Sequence, residues 1–554
     1  MFSYLPGSRA LVLSLFPSIV FAAAPNAGDL MRAVPGTVIV PTPRPDIEVL
    51  PRTEAESRQM TQTEEFRVVV ELKVPVKGFK INGVSAFPDS EIQALVADAR
   101  GKQLSFKELQ ALPERISTYY RARDYFLARA FLPAQKITDG IVEITVREGR
   151  LGQLNLAVDP DNETESVRPY LSAFHPGDLL QGEPLQHDLL ILSDVPGVQV
   201  QSLLKPGAVV GTTDLDVKVK NEHILARRVQ FDNYGNRYTG EYRLSGYLSM
   251  TSPWRFGDQL DLVAMTTGKG FNFGRASWQT PYGHDGTQVG VAGALMTYKL
   301  GSNFSWLDGH GLATDVTVFG SKPLLRSTTR NVLAQGAFDL KSFDDVANTA
   351  PISKHAQVLS LGLLGAWTPA GGDTAQGLVS MNLGHLVLDA LGSATDALQT
   401  EGYYLKFGFN ADYRMAWSGG LSLGLRAAAQ MAGKNLDTSE KFSLGGPQAV
   451  RAYATGEGAA DDATLFSAEL AQAWGDDLNA KLFFDSGSGR VAHNPLPTDL
   501  NNPLKMAGMG LGLDKKWIPE RILLQTAVAM RSTGVVNADV DRRPRFWLLV
   551  SKSF

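Results

Sequence analysis

Two charged residues stand out by type and spacing. Arg451 lies in LGGPQAVRAYATGEG (444–458), a stretch too rich in glycine and proline for a strand and without the apolar stripe of a helix. Asp485 follows in KLFFDSG. There Lys481, Phe483 and Asp485 share one strand phase, while Ala480, Leu482 and Phe484 form the other, wholly apolar one. A guanidinium is a permanently charged planar fork that a carboxylate can fill with two bonds. A loop of small residues that carried Arg451 to Asp485 would therefore be held at a fixed depth. An exposed loop arginine without a partner fits the same spacing equally well.

No other group of residues has catalytic spacing. The chain contains no GxxxxGK[ST], HExxH or GxSxG, only 8 histidines and no cysteine, which removes thiolate chemistry, disulfides and cysteine zinc sites together. His187-Asp188 is an isolated pair on an apolar helix and reads as a surface feature. Asp461-Asp462 has the donor type for calcium, but adjacent carboxylates in a loop are ordinarily solvated. Gly508, Gly510 and Gly512 recur with a strand's period, so they thin one face of a strand rather than cradle a phosphate. No catalytic residue, metal or cofactor is expected, and the chain does not read as an enzyme. A net charge of −4 gives no reason to expect nucleic acid as a partner.

The phase of Asp485 has meaning only through the strands around it. Beyond about Ala226 helical periodicity stops and alternation takes over. Tyr403, Leu405, Phe407 and Phe409 alternate with Tyr404, Lys406, Gly408 and Asn410, and Met509, Leu511 and Leu513 with Gly510, Gly512 and Asp514. A soluble sandwich alternates in the same way. An export signal, the lack of cysteine and the length of the region (224–554) favour a membrane barrel, which at roughly 20 residues per strand and turn has about 16 antiparallel strands. The apolar phase then meets lipid and the other lines a wet interior, into which Asp485 points. In a partly wet lumen its pairing with Arg451 would contribute about 1 kcal/mol. The last segment, FWLLVSKSF, sets Phe546, Leu548 and Val550 in phase with Phe554, an aromatic expected at the membrane interface of a barrel-closing strand. Lys552 falls on the same lipid phase, tolerable there by snorkelling.

The N-terminal part has a different texture. Residues 1–22 read as a secretory signal, with an apolar core too short and too broken by Pro17 to span a bilayer. Residues 23–65 are proline-punctuated and polar, a linker or arm. Residues 66–148 follow a β-α-α-β-β order: a strand at 66–74, a helix capped by Asp89, a second opened by the Ser105/Glu108 capping box and broken or kinked at Pro113, then two strands. Residues 149–223 repeat this order, with Val167, Tyr170, Leu171 and Phe174 on one helix and Leu185, Leu189, Leu190 and Leu192 on another. The fold class is thus two α+β modules followed by an all-β transmembrane barrel.

VRAY (450–453) resembles the VRGY/F tip of the inward-folded loop of the two-partner secretion (TpsB) transporters, the ShlB/FhaC-like haemolysin secretion/activation proteins. FFD (483–485) resembles the strand motif that pairs with it there. KQLSFKELQAL, ISTYYRARDYFLARAFLPAQ and GIVEITVREGRLG are similar to that family's first POTRA domain. LLILSDVPGVQVQSLLKPG, VQFDNYGNRYTGEYRLSG and KPLLRSTTRN extend the resemblance through a second such domain into the barrel. It implies POTRA domains at 66–148 and 149–223, a barrel at 224–554 and a lumenal loop at 444–458. Val450, Arg451, Ala452 and Tyr453 would form the loop motif, Asp485 with Phe483 its anchor, and Phe554 the barrel-closing signal. The implied location is a Gram-negative outer membrane, with the POTRA domains in the periplasm. The implied partner is a secreted exoprotein (TpsA-like) with an N-terminal secretion domain, captured unfolded by the POTRA domains and passed through the barrel. Outer-membrane lipid surrounds such a barrel, and the barrel-assembly machinery inserts it.

Two departures accompany the resemblance. Ala452 stands where the family usually has glycine, so the loop turns differently or is strained there. Many members begin with a helix that plugs the barrel, whereas here only 26–33 could be helical before Pro35 and Gly36, which makes such a plug doubtful and leaves the proline-rich arm either to replace it or to tether it. A barrel-assembly factor of the same superfamily is the nearest alternative function, a porin or uptake receptor the next, and a barrel enzyme the last.

Overall fold

The computed structural model describes residues 25–32, 73–160, 163–348, 350–369, 371–497, 499, 502–533 and 542–554. The signal read at 1–22 and most of the arm at 23–65 lie outside the described residues. Of the strand expected at 66–74, the described part is Lys73–Pro75, which pairs with Gln103–Ser105.

Two α+β modules come first, and they share one topology. In the first, Gly78–Asn82 runs parallel to Ile141–Arg147, which pairs antiparallel with Arg129–Phe131 on its other side. In the second, Arg150–Asp159, a strand the sequence did not single out, runs parallel to Thr212–Asn221, which pairs antiparallel with Val198–Pro206. The last strand of each module is thus central, and helices cover one face. Ile92, Leu109, Leu112, Ile116 and Tyr120 pack on Val142 and Ile144 in one; Val167, Leu171, Leu189 and Leu192 pack on Leu215 and Val217 in the other. Two local expectations are corrected. Asp89 is the first residue of its helix, with Pro88 at the cap position and no side-chain cap. Pro113 lies inside an unbroken helix, Phe106–Arg121, opened by the expected Ser105/Glu108 box. Leu109, Leu112, Ile116 and Tyr120 keep the helix's apolar stripe on the core despite the missing donor.

The modules lock to each other and to the barrel through short polar contacts. The Asp124 carboxylate accepts from the Glu183 amide at 2.6 Å and its carbonyl from Gly182 at 3.1 Å, so the first module caps the helix Gly182–Ser193 of the second. Asp194, just past that helix, takes two bonds from Arg326 of the barrel at 2.6 and 2.9 Å. His187 Nδ1 lies 3.2 Å from the Arg326 carbonyl. His187 is therefore an interface residue, a correction to its reading as a surface feature.

The remaining sixteen long strands, from Leu225–Asp232 to Arg545–Ser553, form one closed barrel in which each pairs antiparallel with its neighbours in sequence and the last pairs with the first. Alternation becomes geometry. In Ala350–Trp367, Leu359, Leu361 and Leu363 are exposed on the outside, while Ala356 and Val358 are buried inward. Tyr403, Leu405, Phe407 and Phe409 likewise face outward. An exposed apolar belt of this extent has lipid as its solvent. No helix among the described residues is long and apolar enough to cross a membrane.

Candidate functional site

The connection between the strands Leu421–Ala432 and Asp462–Trp474 is long, and it folds back into the lumen instead of standing outside. Its neck is a small hairpin, Phe442–Ser443 against Ala459–Ala460. Gly446, Gly456 and Gly458 have φ of 130°, 84° and 69°, conformations that side-chain-bearing residues resist. They let the chain turn inside a confined space.

At the end of this loop Arg451 meets Asp485, and more. Nε and one terminal nitrogen each donate to the Asp485 carboxylate at 2.8 Å, and the Arg451 amide donates to the same carboxylate at 3.1 Å. The other terminal nitrogen donates to Glu469 at 2.8 Å. Ser467 donates to Asp485 at 2.7 Å, and the guanidinium carbon lies 3.4 Å above the Phe483 ring centre, a cation–π contact. Asp485 is 0% exposed and the Arg451 side chain 15%. Burial pushes the guanidinium pKa down, but its bonds to Asp485 and Glu469 outweigh this and hold it above the ordinary value. The Asp485 side of the pair is buried, while Arg451 and Glu469 border a lumenal vestibule. The pair is thus partly wet as expected, and its extra bonds raise the cost of removing the arginine above 1 kcal/mol, to about 3 kcal/mol.

The wall is shaped to receive the loop. A Cβ built on Gly508 would lie 2.4 Å from the Ala452 Cβ, one on Gly510 2.5 Å from the Phe483 ring, and one on Gly487 2.9 Å from Leu444. Gly508 makes room for the loop motif itself and Gly510 for the Phe483 ring beneath Arg451. Ala452 has no positive φ, so alanine is unstrained in this turn. Val450, Ala452, Tyr453 and Phe483 are buried in one cluster with Leu444 and Met506. Trp547, on the last strand, donates to the Arg451 carbonyl at 2.7 Å, and Thr455 to the Tyr234 carbonyl at 2.9 Å. The loop thus touches both sides of the barrel's closing seam. Phe554 sits outward at the periplasmic end of that seam, in phase with Phe546.

A second anchorage holds the loop's other side. Glu440 pairs with Lys341 and Lys406, each at 2.8 Å, and Asp437 with Lys354 at 2.8 Å. Lys441 bonds buried Asp461 at 2.6 Å. Asp462 accepts from Arg490, His493 and the Ala432 amide. The Asp461-Asp462 pair is therefore a fastening of the loop's neck, which corrects its reading as solvated. Among the described residues no cluster has the donors of a metal site.

Against this side packs a short helix, Ala27–Arg32, within the one stretch, 26–33, that could be helical ahead of Pro35 and Gly36. Asn26 and Asp29 bond each other's amides at 3.3 and 3.0 Å, and Asp345 of the wall accepts from the Ala27 amide at 2.9 Å. Ala27 and Leu30 are buried with Met296, Tyr298 and Phe343. Gly28 fits against Thr438, where a Cβ would come within 2.8 Å of Oγ1. Helix and loop fill the lumen together. Beneath the loop, on the periplasmic side, remains a vestibule of about 510 Å³ lined by Gln376, Asp412, Arg414, Arg426 and Lys481.

A periplasmic α+β region followed by a sixteen-stranded barrel is the architecture against which the comparisons are set. The family model described as haemolysin secretion/activation protein ShlB/FhaC/HecB matches residues 211–514, and one described as POTRA domain, ShlB-type, matches residues 74–149. The chain belongs to this haemolysin secretion/activation family. It is 24% identical to the haem/hemopexin transporter protein HuxB of Haemophilus influenzae (strain 86-028NP) over 573 residues, 100% of this chain and 99% of that one. It is 23% identical to the outer membrane transporter CdiB of Dickeya dadantii (strain 3937) over 65% of each. The fold is similar to that of CdiB from Escherichia coli, with a TM-score of 0.70 at 18% identity over 89% of this chain and 93% of that one. CdiB from Acinetobacter baumannii gives 0.63 at 16% identity, over 90% and 96%. The chain is thus a two-partner secretion transporter of the outer membrane, with its POTRA region in the periplasm.

Proposed function

We propose that this transporter exports one large partner protein from the periplasm to the cell surface through its own barrel. The partner's N-terminal secretion domain is captured unfolded by the two periplasmic modules, and the chain catalyses no reaction. The observation that carries this reading is how the lumen is closed. A barrel of sixteen strands has room for a conduit, and here it is filled by a loop and a short helix held through side-chain contacts, parts that can leave without breaking the wall. A passive pore has no use for so removable a filling, or for two periplasmic modules locked beneath it.

Capture has a physical basis in the second module. Val198–Pro206 pairs with Thr212–Asn221 on one side only, and its other edge has no strand among the described residues. An unfolded segment can add there through main-chain bonds. Folding of the partner outside can supply the drop in free energy. Because HuxB matches over its whole length, an exoprotein serving haem acquisition is the first partner class to test. The experiment follows a large exoprotein encoded beside this chain in cells with the intact gene and with a deletion. Partner in the medium only with the intact gene supports the reading. Equal secretion in both overturns it, and a loss of other barrels in the deletion strain would favour the assembly-factor alternative.

A further inference from the structure

Charge appears on the outward phase of the barrel at the periplasmic end of the closing seam. The first and last strands pair over five positions, from Asp232↔Leu549 to Arg228↔Ser553, the shortest ladder in the barrel. On the outward phase Val229 stands opposite Lys552. Arg227 follows two residues nearer the periplasm, and its carbonyl accepts from the Phe554 amide at 2.9 Å. Arg227 and Lys552 are both exposed, and neither forms an ion pair among the described residues. In the turn below, Glu520 and Arg521 carry opposite charges.

Next to this rim the wall is thin. Val229, Gly246, Ala264 and Gly274 are register neighbours across four strands. A Cβ on Gly246 or Gly274 would meet nothing within 4 Å. With Leu248, Leu262 and Phe554 they border an apolar groove of about 620 Å³. Cations are costly on a lipid face except near the interface, and two without carboxylate partners attract an anionic headgroup. A zwitterionic headgroup brings its own cation and loses part of that attraction. We propose that the seam binds one anionic phospholipid of the inner leaflet, its phosphate held by Arg227 and Lys552 and an acyl chain lying in the groove over Gly246, Ala264 and Gly274. Such a lipid touches both strands of the seam and braces the barrel where its ladder is shortest.

The test is native mass spectrometry of the purified full-length protein in micelles with equal amounts of palmitoyl-oleoyl-phosphatidylglycerol and palmitoyl-oleoyl-phosphatidylcholine. The expected result is preferential retention of one phosphatidylglycerol. Arg227→Gln with Lys552→Gln should weaken that retention roughly 30-fold, a factor of about five for each cation. Gly246→Leu, which fills the groove without changing charge, should also weaken it. Heat-modifiable gel mobility verifies that each variant is an assembled barrel, and the single substitutions serve if the double one is not. Equal retention of both lipids, or unchanged retention in the charge variants, would overturn the proposal. Displacement by glycerol 3-phosphate at the same concentration would overturn it too, because the site would then hold a free phosphate and not a lipid.

Discussion

Arg451→Ala perturbs the loop at its most heavily bonded point. The substitution removes two charge-assisted bonds to Asp485, one to Glu469 and the cation–π contact with Phe483. Asp485 keeps the Ser467 hydroxyl and the backbone amide of position 451, and Glu469 keeps Lys481 at 3.4 Å. The cost therefore falls at the lower end of the range for breaking a buried pair, about 3 kcal/mol. Local opening of the loop should become about a hundredfold more frequent. Hydrogen exchange reads this directly, because the amides of Val450 and Tyr453 are bonded within the loop, to the carbonyls of Leu444 and Val450. The amides of the neighbouring strands should keep their protection, and raising the salt should change little at the Asp485 bonds, since Asp485 is buried. Arg451→Ala combined with Asp485→Ala should cost less than the sum of the two, because no charge is then stranded. Loop exchange within twofold of the parent, or strict additivity in the double variant, would refute the reasoning.

Other consequences follow from single contacts. Gly508→Val places a side chain where the Ala452 methyl sits, so it should unseat the loop and lower secretion from a normally assembled barrel, and Ala452→Gly should restore part of the loss. Arg326→Ala should loosen the second module on the barrel, where Tyr170 still packs on Phe256 and His284, seen as broader spin-label distances between that module and the periplasmic turns. In the first module, burial pushes the Glu148 carboxyl up, but bonds from the Ser85 hydroxyl and amide, the Ala86 amide and Tyr120 outweigh it, so its pKa is below the usual range. The stability Glu148 adds is complete above its unfolded pKa of about 4.3 and lost as pH falls through the lower folded value. Exchange protection of 141–147, corrected for intrinsic rates, should therefore drop below about pH 4.3 in the parent and vary less with pH in Glu148→Gln.

What the sequence made legible depended on range. Strand alternation is written in each strand by itself, so the lipid phase of Tyr403 to Phe409 and the inward phase of Asp485 could be read without knowing any neighbour. The third partner of Arg451 could not. Glu469 reaches it only because register sets Glu469 opposite Phe483, and no local pattern fixes register between strands. The helix Ala27–Arg32 lies in the stretch 26–33 that could be helical, but its seat in the lumen was not legible for a similar reason. Six residues cannot display a helical period, and its fastening comes from Asp345, 318 positions away. Asp461 was misread because a carboxylate in a loop looks solvated until the loop is known to fold inward, where Lys441 and the His493 amide meet it.

The most direct test of the account is whether the partner passes through this lumen. A photo-crosslinking amino acid at Gln376, which lines the vestibule, is compared with one at Leu361, which faces lipid, in cells caught during secretion. Crosslinks to the partner from Gln376 and none from Leu361 are the predicted result. Normal secretion with no partner crosslinked from Gln376 would contradict it.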